Sequence, residues 1–192
     1  EVTSAADPRY ECCSFRGSIL ALDAVTGATL WKRYAIDEEP REVGRSSLGT
    51  RLLAPSGAPI WSAPTLDLAR GVLYAGTGEN YSSPANARSD AVLALDLASG
   101  AIRWTWQAVA RDAWNVGCMI PNESCPAENG PDFDLGAGTV LVGDVLAIGQ
   151  KSGEVLALST DGTGRVLWRK RLGRGSIQGG VHWGLATDGK AL

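Results

Sequence analysis

The sequence predicts an all-β chain made of β-propeller blades. Three observations carry that prediction. A phrase of about fifteen residues occurs three times, each copy ends in tryptophan, and 24 glycines accompany seven tryptophans in 192 residues. Recurrent tight turns and one repeated use of an indole are the composition that a repeat architecture demands. No 11-residue window places apolar residues at i, i+3, i+4 and i+7 strongly enough to predict a long helix.

The first copy, residues 17–31, reads GSILALDAVTGATLW, and the second, residues 90–104, reads DAVLALDLASGAIRW. The third, residues 153–168, reads GEVLALSTDGTGRVLW, with one extra residue. In each, a run of β-favouring apolar residues meets a polar corner and leaves it as a short strand ending in Trp31, Trp104 or Trp168. This pattern predicts three β-hairpins. Asp23 with Thr26-Gly27, and Asp96 with Ser99-Gly100, supply the side-chain acceptor and the residue tolerant of positive φ that a turn requires. A tryptophan at one fixed place per blade is expected to pack between neighbouring blades, not to do chemistry.

A second repeated element precedes the hairpins, as WSAPTLDLARGVLYAG at 61–76 and its restart WGLATDGKAL at 183–192. The interval between Trp61 and Trp183 holds two hairpin units, so one unit with its insertions is about 60 residues. In chain order we expect a blade end at 1–36, a blade at 60–108, a long insertion, a blade at 139–170, and the start of another at 176–192. Propellers close at about four to eight blades, so three and a half would leave two open sheet edges. The chain is therefore expected to be a piece of a longer propeller. Its start at Glu1, without methionine, predicts either a removed signal or a cut from a longer protein.

Composition narrows the function. A net charge of -3 and the absence of any basic run argue against a nucleic-acid partner. No apolar run approaches the roughly 18 residues of a membrane span. A lone histidine, His182, and no Cys-x2-Cys pair exclude a zinc site of the usual kind. Cys118 and Cys125 read as a disulfide formed in an oxidising compartment. The adjacent Cys12–Cys13 pair is either a vicinal disulfide or two half-cystines that bridge to Cys118 and Cys125.

The phrase ALDxxTGxxxW, repeated around insertions, resembles the tryptophan-docking motif of quinoprotein alcohol dehydrogenases. The segments ADPRYECCSFRGSILALDA, GTGENYSSPA, RDAWNVGC, CPAENGPDFDLGA and QKSGEVLAL, in this order, are similar to the polyvinyl alcohol dehydrogenase branch of that family. The resemblance covers nearly the whole chain. It implies an eight-bladed propeller carrying pyrroloquinoline quinone (PQQ) and calcium on its axis, in a periplasmic or secreted protein.

What the resemblance implies for single residues follows position by position. Trp61 matches the aromatic floor under the flat quinone, and Lys151 matches the cation beside the quinone oxygens. The amide that helps bind calcium falls on GTGEN: spacing from Trp61 selects Glu79, residue identity selects Asn80, and we favour Asn80. The calcium carboxylate lies four residues before the family's Arg-Gly. Here Cys12 has that spacing from Arg16, Glu11 is one further back, and an insertion would shift the role to Glu1. The catalytic aspartate of the family's Trp-Asp falls on Asn115, which cannot be a base. Asp112 is the expected substitute, with Asp132 or Asp134 behind it. Cys12 and Cys13 are expected at the mouth of the site, although chain order does not match the family's lid pair.

Two functions compete on this reading. The first is a PQQ- and calcium-dependent oxidoreductase acting on secondary alcohols, with those of polyvinyl alcohol among the candidates, and passing electrons to a cytochrome c. No Cys-x-x-Cys-His motif occurs, so any haem c would belong to another part of the protein. The second is a cofactor-free propeller scaffold like those of outer-membrane assembly. A degenerate quinoprotein, marked by Asn115, lies between them.

Overall fold

The computed structural model describes residues 1–120 and 122–192, and its regular structure is almost entirely strand. The strands are β1 (Ser18–Leu22), β2 (Thr29–Tyr34), β3 (Arg41–Arg45), β4 (Arg51–Ala54), β5 (Thr65–Asp67) and β6 (Val72–Gly76). They continue as β7 (Ala91–Asp96), β8 (Ile102–Gln107), β9 (Val140–Val142), β10 (Val145–Gly149), β11 (Glu154–Ser159) and β12 (Val166–Arg171). Two short 3-10 turns, Ser4–Ala6 and Val116–Met119, complete the described elements. No helix among the described residues is long and apolar enough to cross a membrane.

The strands form two four-stranded antiparallel sheets, β5-β6-β7-β8 and β9-β10-β11-β12, and two hairpins, β1-β2 and β3-β4. The three sequence repeats become β1-β2, β7-β8 and β11-β12. Each carries its register shift at the same place, between Ala21 and Leu22, Ala94 and Leu95, or Ala157 and Leu158. The turns share one chemistry. Asp23 Oδ1 accepts from the Thr26 N–H at 2.7 Å and the Thr26 hydroxyl at 2.8 Å, and Asp96 Oδ1 does the same for Ser99. Asp161 repeats it with Thr163 in the third copy. Gly27, Gly100 and Gly164 follow at φ 72°, 70° and 63°, a region closed to most side chains.

The repeat tryptophans lock each hairpin to the next. A Cβ on Gly100 would lie 2.5 Å from the Trp31 ring, and one on Gly164 would lie 2.7 Å from Trp104. Trp31 also donates its indole N–H to the Leu97 carbonyl at 3.2 Å. The indole needs a glycine to lie against and an acceptor to reach, and the turn supplies both.

Two apolar layers result. Ile19, Ile36, Leu73, Ala75, Leu93 and Leu95 fill the first, with Trp31 against it. Val72, Tyr74, Val92, Leu146, Ile148 and Leu156 fill the second, with Trp104 against it. Alternate residues of β6 and β7 therefore face opposite layers, as the period of two in a strand requires. Both strands are buried along their full lengths save Asp96, which is why they read as apolar runs. Each large aliphatic side chain buried here is worth about 1.5–3 kcal/mol.

The β3-β4 hairpin stands apart from these layers and receives the first cysteine pair. The Cys13 N–H donates to the Leu53 carbonyl at 3.1 Å, and the Leu53 N–H donates to the Cys12 carbonyl at 2.6 Å.

Candidate active site

The ends of the buried strands place the chemistry. β6 runs out at Gly76 into Thr77-Gly78-Glu79-Asn80, and β10 runs out at Gly149 into Gln150-Lys151. The loop at 130–136 threads between them and is pinned from both sides. The Glu79 N–H donates to Asp134 Oδ1 at 2.9 Å, the Lys151 N–H donates to the Asp134 carbonyl at 3.0 Å, and the Leu135 N–H donates to the Thr77 carbonyl at 3.3 Å.

Glu79, Asp132 and Asp134 thereby bring one carboxylate oxygen each within 4.8 Å of the others, all buried. The Lys151 ammonium donates to Asp132 Oδ1 at 2.8 Å and pairs with Asp134 Oδ2. Glu79 Oε2 is buried and has no partner among the described residues. Burial, then the charge of Asp134, pushes the Glu79 carboxyl well above its ordinary range. The same two causes push Asp132 up to about 8, with Lys151 opposing. Burial pulls Lys151 down, but the charges of Asp134 and Asp132 outweigh it and hold the ammonium above its usual value.

Trp61 lies beside this cluster, half exposed, with the Lys151 ammonium 5.7 Å from its ring centroid. It lies against backbone that has no side chains to spare. A Cβ on Gly78 would sit 2.8 Å from the indole, and one on Gly136 would sit 2.9 Å from it. His182 closes the edge, 6.2 Å from Trp61 between ring centroids. Burial and the nearby Lys151 charge hold the imidazole below its usual pKa.

Asn80, Asn115 and Asp112 stand behind the cluster as braces. Asn80 donates its amide to the Ser56 carbonyl at 2.9 Å and accepts the Asn86 N–H at 2.8 Å. Asn115 donates to the Tyr81 and Ser124 carbonyls and accepts the Gly117 N–H, capping the 3-10 turn at Val116–Met119. Asp112 accepts the N–H groups of Asp132 at 3.2 Å and Phe133 at 3.0 Å, so it shapes the loop that carries Asp132. Burial raises its carboxyl, and those two donors oppose the rise.

Glu1, Glu11, Cys12 and Cys13 gather elsewhere. Glu1 accepts from the backbone of Ser14 and Phe15 and from the Tyr10 hydroxyl. Glu11 forms an exposed pair with Arg51. The cysteines lie as two close pairs, Cys12 with Cys13 and Cys118 with Cys125, the latter with Cα atoms 4.7 Å apart. Cys12 and Cys13 pack with Ala5 on Tyr81. Tyr81 links the two regions: its buried hydroxyl is raised by burial first and then by the charges of Glu79, Asp134 and Glu1.

The structure thus unites Trp61, Glu79 and Lys151 with Asp132 and Asp134. The sequence reading did not single out His182 or Asp90 for the site. Asp90 is fully buried at φ 47°, and neither carboxylate oxygen has a partner among the described residues. Its position opening a β-run gave no signal, whereas His182 was visible as the lone histidine.

The donor set suits a hard cation, since carboxylate oxygens are what calcium takes. Trp61 packs on the backbone of Gly78 and Gly136 and stays half exposed, which leaves part of the indole open to a flat ligand. On the observations of a Glu79 oxygen without a partner among the described residues and a half-exposed indole beside it, the residues fit a calcium ion and a planar quinone.

Comparison with known proteins places this site in a family. The model of the glucose/ethanol/alcohol dehydrogenase β-propeller domain, a PQQ domain, matches residues 2–122, and that of outer membrane protein assembly factor BamB matches residues 88–182. The polyvinylalcohol dehydrogenase of Sphingopyxis sp. (strain 113P3) is 41% identical over 189 residues, covering 94% of this chain and 29% of that protein. The polyvinylalcohol dehydrogenase of a Pseudomonas sp. is 39% identical, covering 96% of this chain and 29% of that protein. The solved quinohemoprotein alcohol dehydrogenase ADHIIG of Pseudomonas putida HK5 superposes with a TM-score of 0.57 at 19% identity, over 83% of this chain and 25% of that one. The chain thus spans 29% of the length of these polyvinylalcohol dehydrogenase relatives. Its four small sheets are β-propeller structure, and the chain belongs to the family of PQQ-dependent glucose/ethanol/alcohol dehydrogenase β-propellers.

Proposed function

We propose that the protein containing this chain oxidises secondary alcohols, those of polyvinyl alcohol among them, with PQQ and calcium. One observation carries the reading: three buried carboxylates and an ammonium converge beside a half-exposed indole. The 41% identity to a polyvinylalcohol dehydrogenase supports the substrate class. The strand groups 65–107 and 140–171 are read as two blades of an eight-bladed ring, with 1–36 and 176–192 belonging to its neighbours.

When bound, the quinone supplies the hydride acceptor and calcium the Lewis acid that polarises its carbonyl. Glu79 and Asp134 would hold the calcium, and Trp61 would supply a flat, rigid surface for the ring. Lys151 would neutralise negative charge at the quinone oxygens. Asp132 would take the hydroxyl proton of the alcohol while the carbinol hydride leaves; its raised pKa suits a base working near neutral pH. Asp112 would hold Asp132 in place through the loop backbone, which leaves Asn115 a structural role. Electrons would leave to a cytochrome c. The two close cysteine pairs would be disulfides of a periplasmic or secreted protein.

The test is alcohol-dependent dye reduction by the full-length protein, purified free of cofactor. Turnover of polyvinyl alcohol and 2-butanol that needs both PQQ and calcium is the expected result. The match of residues 88–182 to the BamB model favours a second reading, a scaffold without cofactor. Absence of any PQQ binding would select it.

A further inference from the structure

Lys151 stands where a cation belongs. Its ammonium bonds Asp132 Oδ1 at 2.8 Å and Asp134 Oδ2, and both carboxylates are almost wholly buried. Glu79, 3% exposed, is the third member of the cluster, and its Oε2 atom accepts nothing among the described residues. A buried carboxylate oxygen without a donor or cation is costly. The ammonium therefore serves two of the three carboxylates and leaves the third unserved.

We propose that Lys151 is a stand-in for the metal, and that calcium entering between Glu79 and Asp134 takes the Asp134 oxygen from the ammonium. The inference rests on the calcium and quinone reading above. Three carboxylates, one ammonium and one divalent cation sum to zero, so Lys151 need not leave the site, only give up that oxygen. Its flexible stem then leaves the ammonium available to an anionic oxygen of a ligand over Trp61, whose ring centroid lies 5.7 Å away. Metal would thus prepare the cofactor subsite, and by linkage the two would tighten each other's binding.

The prediction runs against the usual effect of deleting a site residue. In the full-length, cofactor-free protein, titrated with calcium alone, Lys151→Met should tighten binding about tenfold, or 1.4 kcal/mol. Glu79→Gln should weaken it by a similar factor or more. An unchanged or weakened calcium affinity in Lys151→Met would overturn the proposal, as would calcium binding that ignores Glu79→Gln. Because Lys151→Met leaves buried carboxylates unpaired and can fail to fold, a second measurement uses the wild type. Acetylation of Lys151, followed by mass spectrometry, should speed up when calcium is added and slow again on adding PQQ. A rate that calcium leaves unchanged or lowers overturns the proposal. Failure of the wild type to bind PQQ with calcium would instead sink the functional reading itself, which these calcium-only titrations do not address.

Discussion

At the scale of single residues, the site concentrates buried carboxyls whose cost the sequence does not display. Asp90 is the extreme case, with both oxygens buried and without a partner among the described residues. Burial first, and the charge of Asp112 next, raise its carboxyl well above the ordinary range. A folded-state pKa above the unfolded one means that its contribution is fully present below the unfolded value and is lost as pH rises through the folded one. The full-length protein should therefore lose stability as pH rises from about 4. Asp90→Asn should flatten that slope and raise the unfolding free energy from urea titration more at pH 8 than at pH 5, by about 1 kcal/mol. An identical pH dependence in both proteins would show that folding does not raise the Asp90 carboxyl. Trp61→Ala should weaken PQQ binding about tenfold or more, whereas Trp61→Phe should recover part of it, since stacking on an aromatic face is worth about 0.5–1.5 kcal/mol. Quenching of intrinsic fluorescence by added PQQ would read the wild type, and absorbance after dialysis would read both variants.

At the scale of elements, the hairpin turn and the tryptophan of the hairpin before it form one unit. Gly27 and Gly100 share a left-handed conformation, φ 72° and 70°, but only Gly100 lies under an indole. Gly27→Ala should cost only the backbone strain, about 1 kcal/mol. Gly100→Ala should add overpacking against Trp31 of about 1–3 kcal/mol. Denaturant midpoints of the two variants measure the docking contribution directly. Equal losses would mean that Trp31 can move aside at no cost. The hairpins themselves were legible because Asp, Thr or Ser, and Gly recur at fixed offsets, and turn chemistry is local. The β3-β4 hairpin was not foreseen: REVGR and RLLA carry little apolar alternation, and their partner is the Cys12–Cys13 segment.

At the scale of the whole molecule, metal and fold should be coupled. Buried carboxylates repel one another until a cation joins them, so on the proposed reading calcium would bind the native state and not the unfolded chain. At a free concentration one hundred times its dissociation constant, calcium should stabilise the full-length protein by about 2.7 kcal/mol. Chelation should lower the unfolding temperature accordingly, and at the same calcium concentration Glu79→Gln should cut the difference to about half or less. A chelator-insensitive transition would place calcium, if bound, outside the folded core.

The sequence by itself determined the all-β repeat architecture, the hairpins and the packing role of the terminal tryptophans. These depend on alternation, turn residues and spacing, all of which act over a few neighbours. It also brought forward Trp61, Glu79, Lys151, Asp132 and Asp134 as candidates, without ranking them correctly by contact. The tertiary structure alone decided that Asn80 and Asn115 spend their amides on backbone and that Asp112 braces the loop at 130–134. Only it could show that Lys151 reaches across to Asp132 and Asp134 while Glu79 goes unserved. Which oxygens remain unpaired depends on loops far apart in the chain meeting at one strand end, and no local pattern records such a meeting.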